Sequence, residues 1–260
     1  MKINVPNLFT PLYLKVSDDT PWPENESVFY LLTRDGSFLC RNHKFFRSSV
    51  PTGKLPAELA AHEPSLEFTG PRLSQRLFER IIGFFDIIGK RHGAEAAVLL
   101  VWNAKSKAVE AIVPPQVSII SSSWRGSPYP IEVHYEVPPL APHLVLMGDI
   151  HSHVDEPAFA SYMDKSDETH RPGIHMVVGR LYLEPPEIHL EMVVDGSRFQ
   201  LQDLHSVAQG YARRRRHEVP QAWIDQVTVT SWSNYYKRSC ASSDSCDRCL
   251  VVDARAFGPV

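Results

Sequence analysis

The sequence predicts a mixed α/β domain, a mixed β-sheet flanked by helices, preceded by a small β-rich module at the N-terminus. Three observations predict it. Leu73 to His92 carries Leu77, Phe78, Ile81, Ile82, Phe84, Phe85, Ile87 and Ile88 in steps of three and four, the period of a helix buried over much of its surface. A series of short apolar runs bounded by turn residues follows it, as strands do. The stretch before it holds only brief strand-like runs among prolines.

In order, Val28–Thr33 and Phe38–Cys40 are strand-like, and Arg34-Asp35-Gly36 between them reads as a hairpin turn. Phe45-Phe46 and a proline-bearing stretch follow, and Pro64 to Pro71 makes a linker. The module is therefore expected over 1–71 and the main domain over 72–235. Gly93 is a suitable stop for the helix. Strands are expected at Glu95–Trp102, Ala108–Val113, Val117–Ser121, Ile131–Val137 and Leu144–Ile150, with Asn103–Lys107 as a polar turn. Further strands are expected at Ile174–Gly179, Glu187–Val194 and Arg198–Leu201, the last two joined by a tight hairpin at Asp195-Gly196. Beyond Leu204 the chain reads as helical. Arg213 to Arg216 is expected to be a solvated helix face rather than a site for an anionic partner, because the chain's net charge is -3. Gln221–Val229 reads as a helix or strand anchored by Trp223 and Trp232. The tail, 236–260, is rich in Ser and Cys. Cys246-Asp-Arg-Cys249 is half a zinc knuckle, but a fourth ligand would have to come from Cys40 or a His, so Cys240, Cys246 and Cys249 are expected as free thiols.

The chain has 260 residues, 43% hydrophobic and 22% charged, enough for one sizeable core and an appendage. The charge balance does not point to nucleic acid or to an anionic membrane. No apolar run approaches the ~18 residues of a membrane span, and Met1 to Asn7 lacks a signal peptide's apolar core. Four cysteines without an export signal suit reduced thiols, and a cytoplasmic protein is expected.

The chemistry concentrates in Gly148-Asp149-Ile150-His151-Ser152-His153, followed by Ser161 and Asp164. Two imidazoles and one carboxylate are the ligand set of an open zinc site, whose fourth position is left to water. His151 and His153 end the apolar run Leu144-Val145-Leu146-Met147, and residues two apart on a strand share a face. Ser161 and Asp164 meet if the segment after Pro157 is helical. An H-x-H pair alone is weak, but all four positions in this context point to zinc held by His151, His153 and Asp164. Asp149 and Glu156 flank these ligands as possible supporting partners. His134, His170 and His175 are expected in the core or at the surface.

These residues resemble the JAMM motif of the JAB/MPN-domain metalloproteases, which include deubiquitinating isopeptidases. The resemblance covers about residues 72–205 and implies their mixed, cytidine-deaminase-like fold. It also implies a catalytic Glu at the start of a strand after a long helix, a place that Glu95 occupies here, with Glu110 in reserve. Glu95 would then be the general base, and Ser161 would donate a hydrogen bond to the oxyanion. Val154 departs from the Pro usual in eukaryotic members. The layout is similar to bacterial JAB proteins encoded near ThiF-like activating enzymes, including the PRTRC system A proteins. That likeness implies a ubiquitin-like protein substrate and a ThiF-like partner. A non-catalytic MPN scaffold and a zinc hydrolase of small amides are the competing readings.

Overall fold

The structure, a computed structural model, describes residues 2–3, 10–57, 59–122, 128–169 and 171–235. His170 and the tail cysteines Cys240, Cys246 and Cys249 lie outside the described residues. The chain divides into two compact units, Met1–Ser65 and Leu66–Val260.

The first unit is a five-stranded sheet of β1 (Lys2–Ile3), β2 (Leu12–Leu14), β3 (Val28–Thr33), β4 (Gly36–His43) and β5 (Phe46–Pro51), in that order. The β3–β4 hairpin closes with Thr33 opposite Gly36. Its small core is Phe29, Leu31 and Cys40, with Tyr13 and Trp22 set edge-on to the Phe29 ring at 5.5 and 5.1 Å.

The second unit begins with α1 (Gln75–His92). Ser74 caps it by accepting from the Leu77 amide at 3.2 Å, and Gly93 ends it at φ 60°. Lys90, Arg91 and His92 in the last turn suit the negative end of the helix dipole. Then come β6 (Ala97–Asn103), β7 (Ala108–Ile112), β8 (Gln116–Ser122), β9 (Pro128–Tyr135) and β10 (Leu144–Ser152). After the short α2 (Tyr162–Glu168) follow β11 (Gly173–Gly179), β12 (Glu187–Val194) and β13 (Ser197–Gln200). The chain then reaches α3 (Gln221–Ile224) and β14 (Val227–Ser231). Six strands form one sheet in the order β13-β12-β11-β10-β6-β7, in which only β10 and β11 run parallel. A smaller sheet has the order β14-β8-β9. This is the mixed α/β fold the sequence predicts. Val98, Leu100, Ile150, Ile174, Met176 and Val178 pack with the apolar face of α1 in the main core. Among the described residues no helix is long and apolar enough to cross a membrane.

Two expectations are corrected. From Leu204 to Pro220 the chain is not a continuous helix; it makes two single 3₁₀ turns and extended strap segments. Arg214 to Arg216 are not a solvated helix face either, while Arg213 is exposed. The strap crosses α1 at Gly83, where a Cβ would stand 2.8 Å from the Arg215 backbone carbon. Arg215 binds the buried Glu79, while Arg214 and Arg216 bind the buried Asp86. Ala212 also donates its amide to Glu79 at 2.8 Å. Burial alone would raise the Glu79 carboxyl, but hydrogen bonds from Gln75 and Arg215 bring it down to about 2. The positive run is an internal counter-charge for two carboxylates buried beneath it.

Candidate metal centre

Strand alternation sets the site. Along β10, Ile150 points into the core shared with α1, so Asp149 and His151 point to the opposite face. Gly148 fixes that phase. Its φ is 146°, a shift in register falls between Leu146 and Gly148, and a Cβ there would lie 1.8 Å from the Ile174 carbonyl oxygen. The strand runs two residues further than expected, to Ser152, and His153 follows directly. In the antiparallel pairing with β6, His151 sits opposite Ala97. Ser152 and Ala96 exchange two bonds, Ser152 N to Ala96 O at 3.0 Å and Ala96 N to Ser152 Oγ at 3.2 Å. This pairing places the Glu95 backbone opposite His153 although 58 positions separate them. Ser118 Oγ pins the Glu95 carbonyl at 2.6 Å. Glu95 thus stands just before its strand rather than opening it, with Ser118 on its carbonyl and Ser152 on the next amide.

After His153 the chain turns sharply, and Val154 takes φ 51°. That left-handed conformation is rare for a β-branched residue and impossible for proline, whose ring locks φ near -65°. Val154 is buried, and its carbonyl accepts from the Leu181 amide at 2.7 Å. The turn also brings the Pro157 carbonyl to 3.2 Å from His153 Nδ1. A bond there holds the Nδ1 proton and leaves Nε2 as the ligating nitrogen.

Ser161 and Asp164 meet for a reason the sequence reading missed. α2 begins at Tyr162, later than Pro157, and the two residues form its capping box. Asp164 N donates to Ser161 Oγ at 3.2 Å, and Ser161 N donates to Asp164 Oδ2 at 2.7 Å. The S-x-x-D pattern that signals such a cap was present in the sequence. The cap fixes the carboxylate's orientation and leaves the Ser161 hydroxyl proton free to donate.

His151, His153 and Asp164 converge. Their donor atoms lie within 4.8 Å of one another. The two Nε2 atoms are 3.3 Å apart, His151 Nε2 is 3.5 Å from Asp164 Oδ1, and His153 Nε2 is 3.8 Å from Oδ2. Ligands ~2.0–2.1 Å from a tetrahedral zinc are about 3.3–3.4 Å from each other, so the donor set fits the ion. Burial opposes charge on His151, but the Asp164 carboxylate pushes its pKa up to about 9. Burial works against Asp164 too, yet hydrogen bonds from His151 and His153 hold it far below the usual carboxylate range. Glu95 lines the same cavity, of about 550 Å³, as do Ser161 and the three candidate ligands. Burial pushes its carboxyl up to about 7, against the pull of His153 and His151.

The remaining candidates separate. Glu110 binds Asn103 and Ser106 at 2.8 Å each on β7 and is not part of the cavity wall. Glu156 is exposed on the turn and lines the cavity, and His134 lines it from β9, 3.0 Å from Glu132. Asp149 is not bonded to a candidate ligand; it faces His175 Nδ1 at 3.2 Å and the Arg171 guanidinium at 2.7 Å. Asp149, Glu168 and His175 form a second buried group close enough to hold a metal. One oxygen of each carboxylate already faces a guanidinium, Asp149 Oδ2 that of Arg171 and Glu168 Oε2 that of Arg198, both at 2.7 Å. Sequence reading missed this ionic group because its members come from three elements.

A mixed α/β domain with two histidines and an aspartate gathered at a strand end is thus defined. Residues 84–193 match the family model described as prokaryotic homologs of the JAB domain. The match supports a prokaryotic JAB domain over that span, which contains Glu95, His151, His153, Ser161 and Asp164. No curated protein matches the chain. Among solved structures, a protein of Desulfitobacterium hafniense solved in solution is 15% identical, covering 57% of this chain and 97% of that one, with a TM-score of 0.35. A JAB1/MPN domain protein from Archaeoglobus fulgidus is 19% identical, covering 52% of this chain and 97% of that one, with a TM-score of 0.28.

Proposed function

We propose that the protein is a zinc-dependent isopeptidase or peptidase that cleaves a ubiquitin-like protein at or near its C-terminus. The supporting observation is the spacing of three donor atoms for a tetrahedral ion beside the half-buried Glu95 carboxyl. His151, His153 and Asp164 would hold the zinc, which when bound supplies Lewis acidity and lowers the pKa of a water toward ~7. Glu95 takes a proton from the attacking water and returns it to the leaving amine; a carboxyl near neutrality serves both transfers. Ser161 donates a hydrogen bond from its hydroxyl to the oxyanion. The ubiquitin-like substrate and a ThiF-like activating partner follow from the resemblance of the motif.

The test is Glu95→Gln, assayed for zinc content and for cleavage of a ubiquitin-like fusion. The ligand set is intact in this variant, so zinc stays bound while cleavage falls by ~10²–10⁴-fold. His151→Ala and Asp164→Ala lose the zinc. Undiminished cleavage by Glu95→Gln removes Glu95 from the mechanism. A wild-type protein that binds zinc and cleaves no amide favours the scaffold reading.

A further inference from the structure

We propose that Arg198 and Glu168 are positioning residues that set the metal affinity of the site by holding α2 against the sheet. The inference rests on reading His151, His153 and Asp164 as the ligand set. α2 supplies the third ligand, yet nothing apolar fastens it. It is seven residues long, and Glu168 is its only buried residue. Tyr162 and Met163 are 84% and 53% exposed. A helix this short does not persist on propensity alone.

What fastens it is charge. Arg198 Nη1, on β13, lies 2.7 Å from Glu168 and 2.7 Å from Glu191 of β12. Its Nη2 donates at 3.0 Å to the Lys165 carbonyl, which also accepts from the Thr169 hydroxyl at the helix C-terminus. Behind Glu168, His175 Nδ1 stands 3.5 Å away and also faces Asp149, two residues before His151. His175 Nε2 faces the Arg171 carbonyl at 2.9 Å, just past the helix. The buried ionic group therefore ties α2 to β10, β11, β12 and β13 at once. Glu168 is also four residues after Asp164, so anchor and ligand share one side of the helix on successive turns. Releasing Glu168 lets the helix turn, and Asp164 leaves the two imidazoles.

The experiment measures zinc affinity by chelator competition, with amide exchange over residues 162–168 recorded with and without zinc. Arg198→Met keeps the stem but removes the bridge, and Arg198→Met with Glu168→Gln removes the bridge without leaving a buried charge. Both should weaken zinc by ~10–100-fold, the scale for outer partners of metal ligands. In both, α2 amides should exchange faster without zinc than in wild type, while exchange in β6 and β10 is unchanged. Arg198→Lys, which keeps the charge but not the two-pronged head, should fall between them and wild type. Zinc affinity within twofold of wild type in whichever of these variants folds overturns the inference and leaves the ligand set standing. A wild type that binds no zinc overturns both.

Discussion

At the scale of single residues, the proposed zinc site couples protons to metal. His151, raised to about 9 by Asp164, is protonated in the metal-free protein at neutral pH, and a metal needs its neutral form. Zinc uptake should release about one proton, and affinity should rise about tenfold per pH unit up to pH ~9. The sign for stability is opposite in the metal-free protein. A histidine raised above 6.5 stabilises fully below 6.5 and loses that contribution as pH rises to about 9. Glu95, raised from 4.5 to about 7, favours the fold while protonated and penalises it as it ionises. Melting of the chelated protein should therefore fall from pH 6 to pH 9, and the gain from added zinc should widen. A gap that stays constant across that range would show that His151 does not carry the proton.

At the scale of elements, the strap over α1 carries the sharpest expectation. Glu79 has no exposed side-chain surface, and Arg215 is its only guanidinium partner among the described residues. Arg215→Met should cost about 3 kcal/mol in urea denaturation, toward the low end for stranding a buried charge because Gln75 and two backbone amides still bind Glu79. A loss under about 1 kcal/mol would mean that the arginine is decoration. This is also where sequence reading stopped. The apolar periods of α1 and the strands were legible because each is written within its own segment. The end of β10 was missed by two residues because His151 and Ser152 are polar yet paired. The role of Arg214 to Arg216 was invisible, since their partners lie about 130 positions earlier and Glu79 and Asp86 look like a helix's wet side. His151, His153 and Asp164 were legible as a group because strand and cap periods place them within fourteen positions. Glu95 was reached only by resemblance, its approach being set by strand pairing and two serines.

At the scale of the whole molecule, each unit has its own core, Phe29, Leu31 and Cys40 in one and the α1 cluster in the other. All five candidate site residues, their anchors and the strap belong to Leu66–Val260. A protein starting at Leu66 should fold, bind one zinc and cleave a short peptide amide as the full chain does. A rise in KM confined to a protein substrate would assign docking to the first unit; loss of folding would make that unit part of the core.

The strap has a further consequence for how the chain is made. α1 emerges early from the ribosome, but the arginines that neutralise Glu79 and Asp86 are translated about 130 residues later, as their hydrogen bonds show. At 5–20 residues per second the helix waits about 7–26 s with two carboxylates it cannot bury. Arg198, which holds the last ligand in place, also comes after every ligand. The first unit can complete its hairpins while still tethered, but the second cannot close until nearly all of it has been synthesised. On the proposed ligand set, metal loading is therefore a late event in the life of the nascent chain.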